Sequence, residues 1–318
     1  MRVLAALLLA LSAQAAWAEG DALSWLQRIH AATQKLSYTG TFVYRSGDQA
    51  ETLRIVHVAG PHGAHERLET LEGQPREIVR SGDEVKCYLP GSMTVKVDKQ
   101  TDHIVFPALL PANLRDIGKH YHVTKGAIER VAGYDCQTIL LQPKDKMRYG
   151  HKLWADVNTG MLLKSQTLDE NNEAIEQFAF TQIAVGGKID HGQLKSRFLA
   201  KSRTWRIENS GAVATSLAAS GWSIKPELPG FKKVTEMKRT QGGSSEVGHV
   251  VYSDGLAAVS VFIEPMANKT SLPQPGPSRQ GAINLYSRQI AEHLVTVVGE
   301  APAESVKRIA DSVEYRKP

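Results

Sequence analysis

The hydrophobic pattern switches early in the chain from a helical period to an alternating one. From Asp21 to Leu36, Leu23, Leu26, Ile29 and Leu36 recur at helical spacing, with Ala32 or Thr33 between, and Asp21 suits an N-cap. After Ser37 the alternation predicts strands over Tyr38–Arg45, Thr52–Val58, Arg67–Leu71, Pro75–Arg80, Glu84–Leu89 and Met93–Val97. Gly60-Pro61, Glu72-Gly73, Ser81-Gly82-Asp83 and Pro90-Gly91 punctuate them as turns. Connections this short favour antiparallel neighbours. The stretch from Ile104 to Ile117 breaks the rhythm: Phe106 to Pro111 is apolar but carries two prolines, so a short helical insertion or an ordered loop is expected. Strands resume over His120–Thr124, Tyr134–Gln142, Lys152–Asp156, Met161–Leu168 and Ala174–Ile183.

So many strands do not stay flat without cost, and the sheet is expected to curl into a partly or fully closed barrel. The first helix is then available to cover one face or plug an opening. The interior of such a sheet either is filled by side chains or holds a ligand. Gly186-Gly187 opens a weakly patterned stretch, and Gly211 to Gly221 is small and polar. A second unit starts near Trp222, where Asp254-Gly255, between His249–Ser253 and Leu256–Glu264, is the strongest hairpin signal. Met266 to Gly281 reads as a long loop with three prolines, and Ile283–Val298 as either helix or strand. Ala303–Val313 reads as a helix with Val306, Ile309, Ala310 and Val313 on one face. The expected fold class is mainly β: a large curled antiparallel sheet over residues 19–205, a linker over 206–221 and a small α+β domain over 222–318.

The first residues change the picture of where this happens. Arg2 precedes an uncharged run from Val3 to Ala18, ending in the small-x-small sequence Ala16-Trp17-Ala18, which marks residues 1–18 as an export signal cut after Ala18. The run is 16 residues long, short of the ~20 that span a bilayer. Losing Arg2 lowers the formal net charge from +5 to +4. The remaining balance is compatible with an acidic protein segment or an anionic lipid, but lacks the concentrated charge of a nucleic-acid binder. Two cysteines, Cys87 and Cys136, are candidates for a disulfide in an oxidising compartment, closing a loop of about 50 residues. Such a bond would add roughly 4 kcal/mol; the alternative is two unrelated buried thiols.

Reactive constellations are sparse. His62, His65 and Glu66 share a turn, and His120 and His122 one face of a strand, but zinc needs three or four donors. No nucleophile elbow or His-Glu-x-x-His motif occurs, and Glu66, Glu69, Glu72 and Glu77 combine in too many ways to mark a carboxylate pair. No catalytic residue, metal or cofactor is therefore assigned, and the reading is a binding protein. Phe42, Phe106, Leu109, Leu110, Trp154 and Phe178 are the apolar candidates for lining a cleft, the alternative being a filled core. Arg148 and Tyr149 are candidates for holding a carboxylate or phosphate, or else for a salt bridge within a turn.

Several of these residues carry a resemblance. Gly40-Thr41-Phe42-Val43-Tyr44, Arg148-Tyr149-Gly150, Asp156 through Thr159-Gly160 to Leu163-Lys164-Ser165, and Phe178 through Phe180-Thr181-Gln182 resemble the MucB/RseB family of periplasmic regulators of the envelope-stress sigma factor. So do Leu228-Pro229-Gly230-Phe231, Tyr252 through Asp254-Gly255-Leu256-Ala257, Ser260 through Pro265, and Val295 through Glu300. The resemblance implies an unclosed β-barrel similar to the periplasmic lipoprotein carriers, with covering helices, followed by a smaller mixed domain. It implies a non-catalytic protein that binds the periplasmic part of a membrane-spanning anti-sigma factor and shields it from proteolysis. Lipopolysaccharide or a related lipid would release it. The partner site that the resemblance implies lies on both domains: the cleft side of the large one, and Tyr252, Asp254, Gly255 and Phe262 around the hairpin of the small one. A lipid or lipoprotein carrier is the competing reading and an envelope hydrolase the third; monomer and homodimer are both open.

Overall fold

The computed structural model describes residues 21–61, 63–99, 110, 114–209, 211–241, 245–266 and 275–317. The expected leader, His62, Phe106 and Leu109 lie outside them. A helix, α1 (residues 21–35), precedes a first run of strands: β1 (Tyr38–Ser46), β2 (Gln49–Val58), β3 (His65–Thr70), β4 (Glu77–Ser81), β5 (Glu84–Leu89) and β6 (Thr94–Lys99). After a short helix, α2 (Ile117–His120), come β7 (Tyr121–Val131), β8 (Tyr134–Pro143), β9 (Gly150–Asp156), β10 (Leu162–Leu168), β11 (Ala174–Val185) and β12 (Arg206–Asn209).

These form one twelve-stranded sheet in the order β12-β6-β5-β4-β3-β2-β1-β11-β10-β9-β8-β7. The ends, β12 and β7, do not meet, so the sheet is unclosed. Two hairpin meanders, β2 to β6 and β7 to β11, are joined by β1, which pairs antiparallel with both β2 and β11. Gly40 allows that junction: a Cβ there would lie 2.6 Å from the Phe180 ring. Helix α1 buries Ala22, Trp25, Leu26 and Ile29 against Tyr121, Val123, Ile139, Leu141, Leu153 and Leu162, covering the β7 to β10 side.

The smaller lobe contains β13 (Val213–Ala214), β14 (Trp222–Ile224), β15 (Lys232–Gln241), β16 (Ser245–Ser253), β17 (Ala258–Pro265), β18 (Gly276–Gln280), β19 (Ile283–Ile290), β20 (His293–Gly299), α3 (Ala303–Asp311) and β21 (Val313–Tyr315). Its seven-stranded sheet has the order β13-β15-β16-β17-β20-β19-β18, and β14 pairs with β21 beside it. Helix α3 buries Val306, Ile309 and Ala310 in a core with Val250, Val259, Val261, Val295 and Val297. The ambiguous stretch 283–298 resolves into a hairpin turning at Ala291, whose φ is +50°. The stretch 206–221 supplies an edge strand to each sheet, β12 and β13.

Charge is buried on both faces of β3, at Glu66 and Glu69. On one face Tyr38 stacks on His57 at 4.8 Å, His57 lies 2.7 Å from Glu66, and Glu66 lies 2.8 Å from Arg80, each on the next strand. On the other, Glu69 faces Glu77 directly across β3 and β4. Opposed like charges destabilise a sheet, and Arg197 neutralises them at 2.7 and 3.1 Å. Of the two alternatives for Cys87 and Cys136, a disulfide or two unrelated thiols, the structure has the second: both thiols are free. Cys87 lies on β5 and Cys136 on β8, with seven strands between them in the sheet order.

Candidate functional site

The connection from β8 to β9 and the turn from β16 to β17 meet where the two lobes join. Asp145 organises the first: its carboxylate accepts from the Met147 amide at 2.8 Å and the Arg148 Nε at 3.1 Å. Arg148 then reaches into the other lobe. Its Nη1 donates to Asp254 Oδ2 at 2.7 Å, both side chains are 0% exposed, and its Nη2 donates to the Pro229 carbonyl. The Tyr121 hydroxyl adds a second bond to Asp254 Oδ2 at 3.1 Å. Asp254 Oδ1 accepts the amides of Leu256 and Ala257, both at 2.9 Å, so the aspartate holds its own turn while pairing across the boundary. Burial opposes the Arg148 charge, and Asp145 and Asp254 outweigh it, so Arg148 is more firmly protonated than a free arginine.

Apolar contacts run through the same junction in both directions. Met147, from the large lobe, packs against the core of the small one, and its carbonyl accepts from Ser305 Oγ at 2.9 Å. Leu256, from the small lobe, packs against the core under α1. Asn284 Nδ2 donates to the Tyr149 hydroxyl at 2.8 Å. Gly230 faces the His120 ring, where a Cβ would lie 2.5 Å from Nε2. Burial, and then the Arg148 charge, lower the His120 pKa; burial takes His151 to about 4. Farther out, Gln280 meets Gln49 at 3.1 Å, Lys232 meets Asp116 at 3.0 Å and Arg239 meets Asp98 at 3.2 Å. Glu176 on β11 feels the charge of Glu300 beyond β20: burial first, and then Glu300, raise its pKa to about 7, while a hydrogen bond with Tyr44 pulls it down.

This arrangement bears on the alternatives left open in the sequence, and the Arg148–Asp145 ion pair is the salt bridge within a turn that was one of them. Arg148 and Tyr149 do not wait for an external carboxylate or phosphate, because Asp254 and Asn284 already occupy them. Asp254 is buried in the lobe junction, and Tyr252 in the small-lobe core with its hydroxyl donating to the Ile224 carbonyl at 3.2 Å. Gly255, at φ +103°, belongs to the Asp254 turn, and Phe262 is half-buried and stacks on His249 at 4.3 Å. Phe42 and Phe178 pack edge-on with Phe180 at 5.1 to 5.7 Å, so their space is filled. Trp154 is buried with its Nε1 donating to Glu129 at 2.7 Å, and Leu110 is buried under α1. A cleft of about 800 Å³ does open farther along, bordered by Gln49, Glu51, Thr70, Gln74, Arg76 and Leu89. Its Thr70 continues the cross-strand row from Phe42 through Leu53. The cleft comes from strand ends and turns, which carry no apolar signal. Among the described residues no group of three or more His, Cys, Asp or Glu side chains could hold a metal ion.

Residues 21–198 match the MucB/RseB N-terminal domain and residues 216–314 the MucB/RseB C-terminal domain. The chain belongs to the MucB/RseB family. It is 31% identical to the sigma factor AlgU regulatory protein MucB of Pseudomonas aeruginosa, with 98% of each chain covered. To the sigma-E factor regulatory protein RseB of Escherichia coli K12 it is 26% identical, over 91% of this chain and 89% of that one. The MucA/MucB complex of Pseudomonas aeruginosa contains a chain that superposes with a TM-score of 0.72 at 28% identity, covering 94% of this chain and 100% of that one. Three of the segments that carry the MucB/RseB resemblance, those at Arg148, Gly230 and Asp254, thus converge on the lobe junction.

Proposed function

We propose that this chain is an exported, non-catalytic regulator in the periplasm. It binds the periplasmic segment of a membrane-spanning anti-sigma factor, using a surface that spans both lobes, and shields that segment from proteolysis. The observation that carries this reading is the sealed Arg148–Asp254 contact, which holds the lobes in one arrangement and so pre-organises a two-lobe surface. The MucA/MucB complex, matched over nearly the whole chain, supports the same choice of partner. No helix among the described residues is long and apolar enough to cross a membrane. Lipopolysaccharide or a related lipid releases the partner by favouring a different lobe arrangement, and each ligand then weakens the other by the same factor. Titrating the purified anti-sigma segment, with and without lipopolysaccharide, tests this: affinity should fall as the lipid is added. An affinity indifferent to lipid removes the switch; no binding at all removes the reading.

The cleft at the ends of β2 to β5 favours a second reading, a carrier of lipid or lipoprotein, since about 800 Å³ is within the range of ligand sites. Native mass spectrometry of protein taken directly from the periplasm distinguishes it: a carrier holds stoichiometric cargo.

A further inference from the structure

A second pocket, of about 460 Å³, lies on the opposite face of the large sheet from Phe42. Thr39 and Thr41 of β1, Arg54 of β2, Arg67 of β3 and Gln182 of β11 line its floor, and Gln193 forms a wall. The pairing places them together: Arg54 and Gln182 flank Thr41, and Val56, between Thr39 and Arg67, completes the neighbouring row. Because side chains alternate along a strand, Thr39 and Thr41 face away from the core side of Tyr38 and Phe42. Hydrophobic packing therefore explains neither the threonines nor the arginines.

The local charge is not balanced. Arg197 takes both nearby carboxylates at close range, Glu69 at 2.7 Å and Glu77 at 3.1 Å, and its amide also donates to Glu77 at 3.1 Å. Arg67 stays at 3.5 Å from Glu69 and 3.7 Å from Glu77, and Arg54 at 4.0 Å from Glu69. Three guanidinium groups thus share two carboxylates, and the two nearest the pocket are the loosely engaged ones. Arg67 Nε is buried and has no hydrogen-bond partner. The side chains of Thr39, Thr41, Gln182 and Gln193 make no hydrogen bond among the described residues. Donors with spare capacity therefore converge from four adjacent strands and a turn.

We infer that this pocket binds a phosphoryl group, with Arg54 and Arg67 meeting its charge and the threonine hydroxyls and glutamine amides its remaining oxygens. Arginine pairs with phosphate oxygens through two parallel N–H donors. Donors approaching from several directions suit a tetrahedral group with many acceptor sites better than a flat carboxylate. The site lies on neither the lobe junction nor the 800 Å³ cleft, and the inference does not depend on the proposed partner. The phosphoryl group has two sources, a soluble phosphate or a lipid headgroup.

The test titrates the full mature chain with inorganic pyrophosphate at constant ionic strength, by calorimetry. A parallel arm sediments it with phosphatidylcholine vesicles with and without phosphatidate. Saturable binding is expected to at least one probe. It should weaken about tenfold or more in Arg54→Gln, the loss of one charge-assisted contact, and measurably in Gln193→Ala. Arg54 has a side chain 52% exposed, so its replacement leaves the fold intact. Arg308→Gln, at a side chain 50% exposed on α3 of the small lobe and outside both pockets, should bind as the wild type does. Binding to pyrophosphate alone assigns a soluble source, and phosphatidate-dependent sedimentation lost in Arg54→Gln assigns a headgroup. Absence of saturable binding to both probes overturns the site. So does binding that Arg54→Gln leaves unchanged or that Arg308→Gln weakens equally.

Discussion

Arg148 and Asp254, 106 residues apart in sequence, form a 2.7 Å ion pair sealed from solvent at the junction of the two lobes. Removing one member of a buried pair strands the other charge, at a cost of about 3–5 kcal/mol. Asp254→Asn should therefore loosen the junction and lower the melting temperature. Small-angle scattering should show a larger radius of gyration at temperatures where circular dichroism still reports intact strands. The double variant Arg148→Met/Asp254→Leu should recover much of the loss, because an apolar pair leaves no stranded charge. An unchanged radius in Asp254→Asn would mean that the other junction contacts suffice.

Gly230 offers a steric probe of the same junction. Its φ of +84° already disfavours a side chain, and a Cβ would strike the His120 ring at 2.5 Å. The left-handed conformation alone costs about 1–2 kcal/mol in a residue with a Cβ. Gly230→Ala should lose more than that in urea denaturation. Adding His120→Ala should restore only the part due to the clash. Full restoration would show that the backbone imposes no cost.

Glu176 should make stability depend on pH. Its pKa is raised from 4.5 to about 7 in the folded protein, so the folded state holds a proton there that the unfolded chain has released. Stability from this group is complete below 4.5 and is lost as pH rises to about 7. His151, lowered from 6.5 to about 4, has the opposite sign in the overlapping window, since there the unfolded chain binds the extra proton. The wild type minus Glu176→Gln difference in unfolding free energy reports this carboxylate together with its interaction with Glu300. That difference should fall as pH rises through the window and level off above it; a flat difference contradicts the assignment.

Thiol counting checks the cysteines directly. Unreduced protein, denatured in the presence of a thiol reagent, should show two free thiols. In the native state Cys136 should react slowly, because burial, and then the charge of Asp156, raise its pKa to about 11. Zero free thiols in the unreduced protein would contradict the separation of β5 and β8.

Local signals were legible in the sequence and long-range ones were not. The helical period of Leu23, Leu26 and Ile29 and the Asp254-Gly255 turn belong to single elements, and both elements are present. The β1–β11 pairing joins distant segments, and nothing in either strand announces the other. Glu66, Glu69 and Glu77, which resemble scattered surface charge in sequence, are buried because Arg80 and Arg197 neutralise them from elsewhere. Arg148 and Asp254 stood out separately, as a ligand site and a partner site. That each is the other's partner is a property of the lobe arrangement, which spacing along the chain does not encode.

The most direct test is a calorimetric titration of the mature chain with the purified periplasmic segment of the anti-sigma factor from the same organism. The wild type should bind saturably. Asp254→Asn should bind at least about tenfold more weakly, because only the fraction of molecules with correctly arranged lobes can engage the partner. Arg54→Gln, on the far face of the sheet, should bind as the wild type does. A wild-type chain that shows no saturable binding, or an Asp254→Asn variant that binds undiminished once its lobes are shown to have separated, would contradict the account.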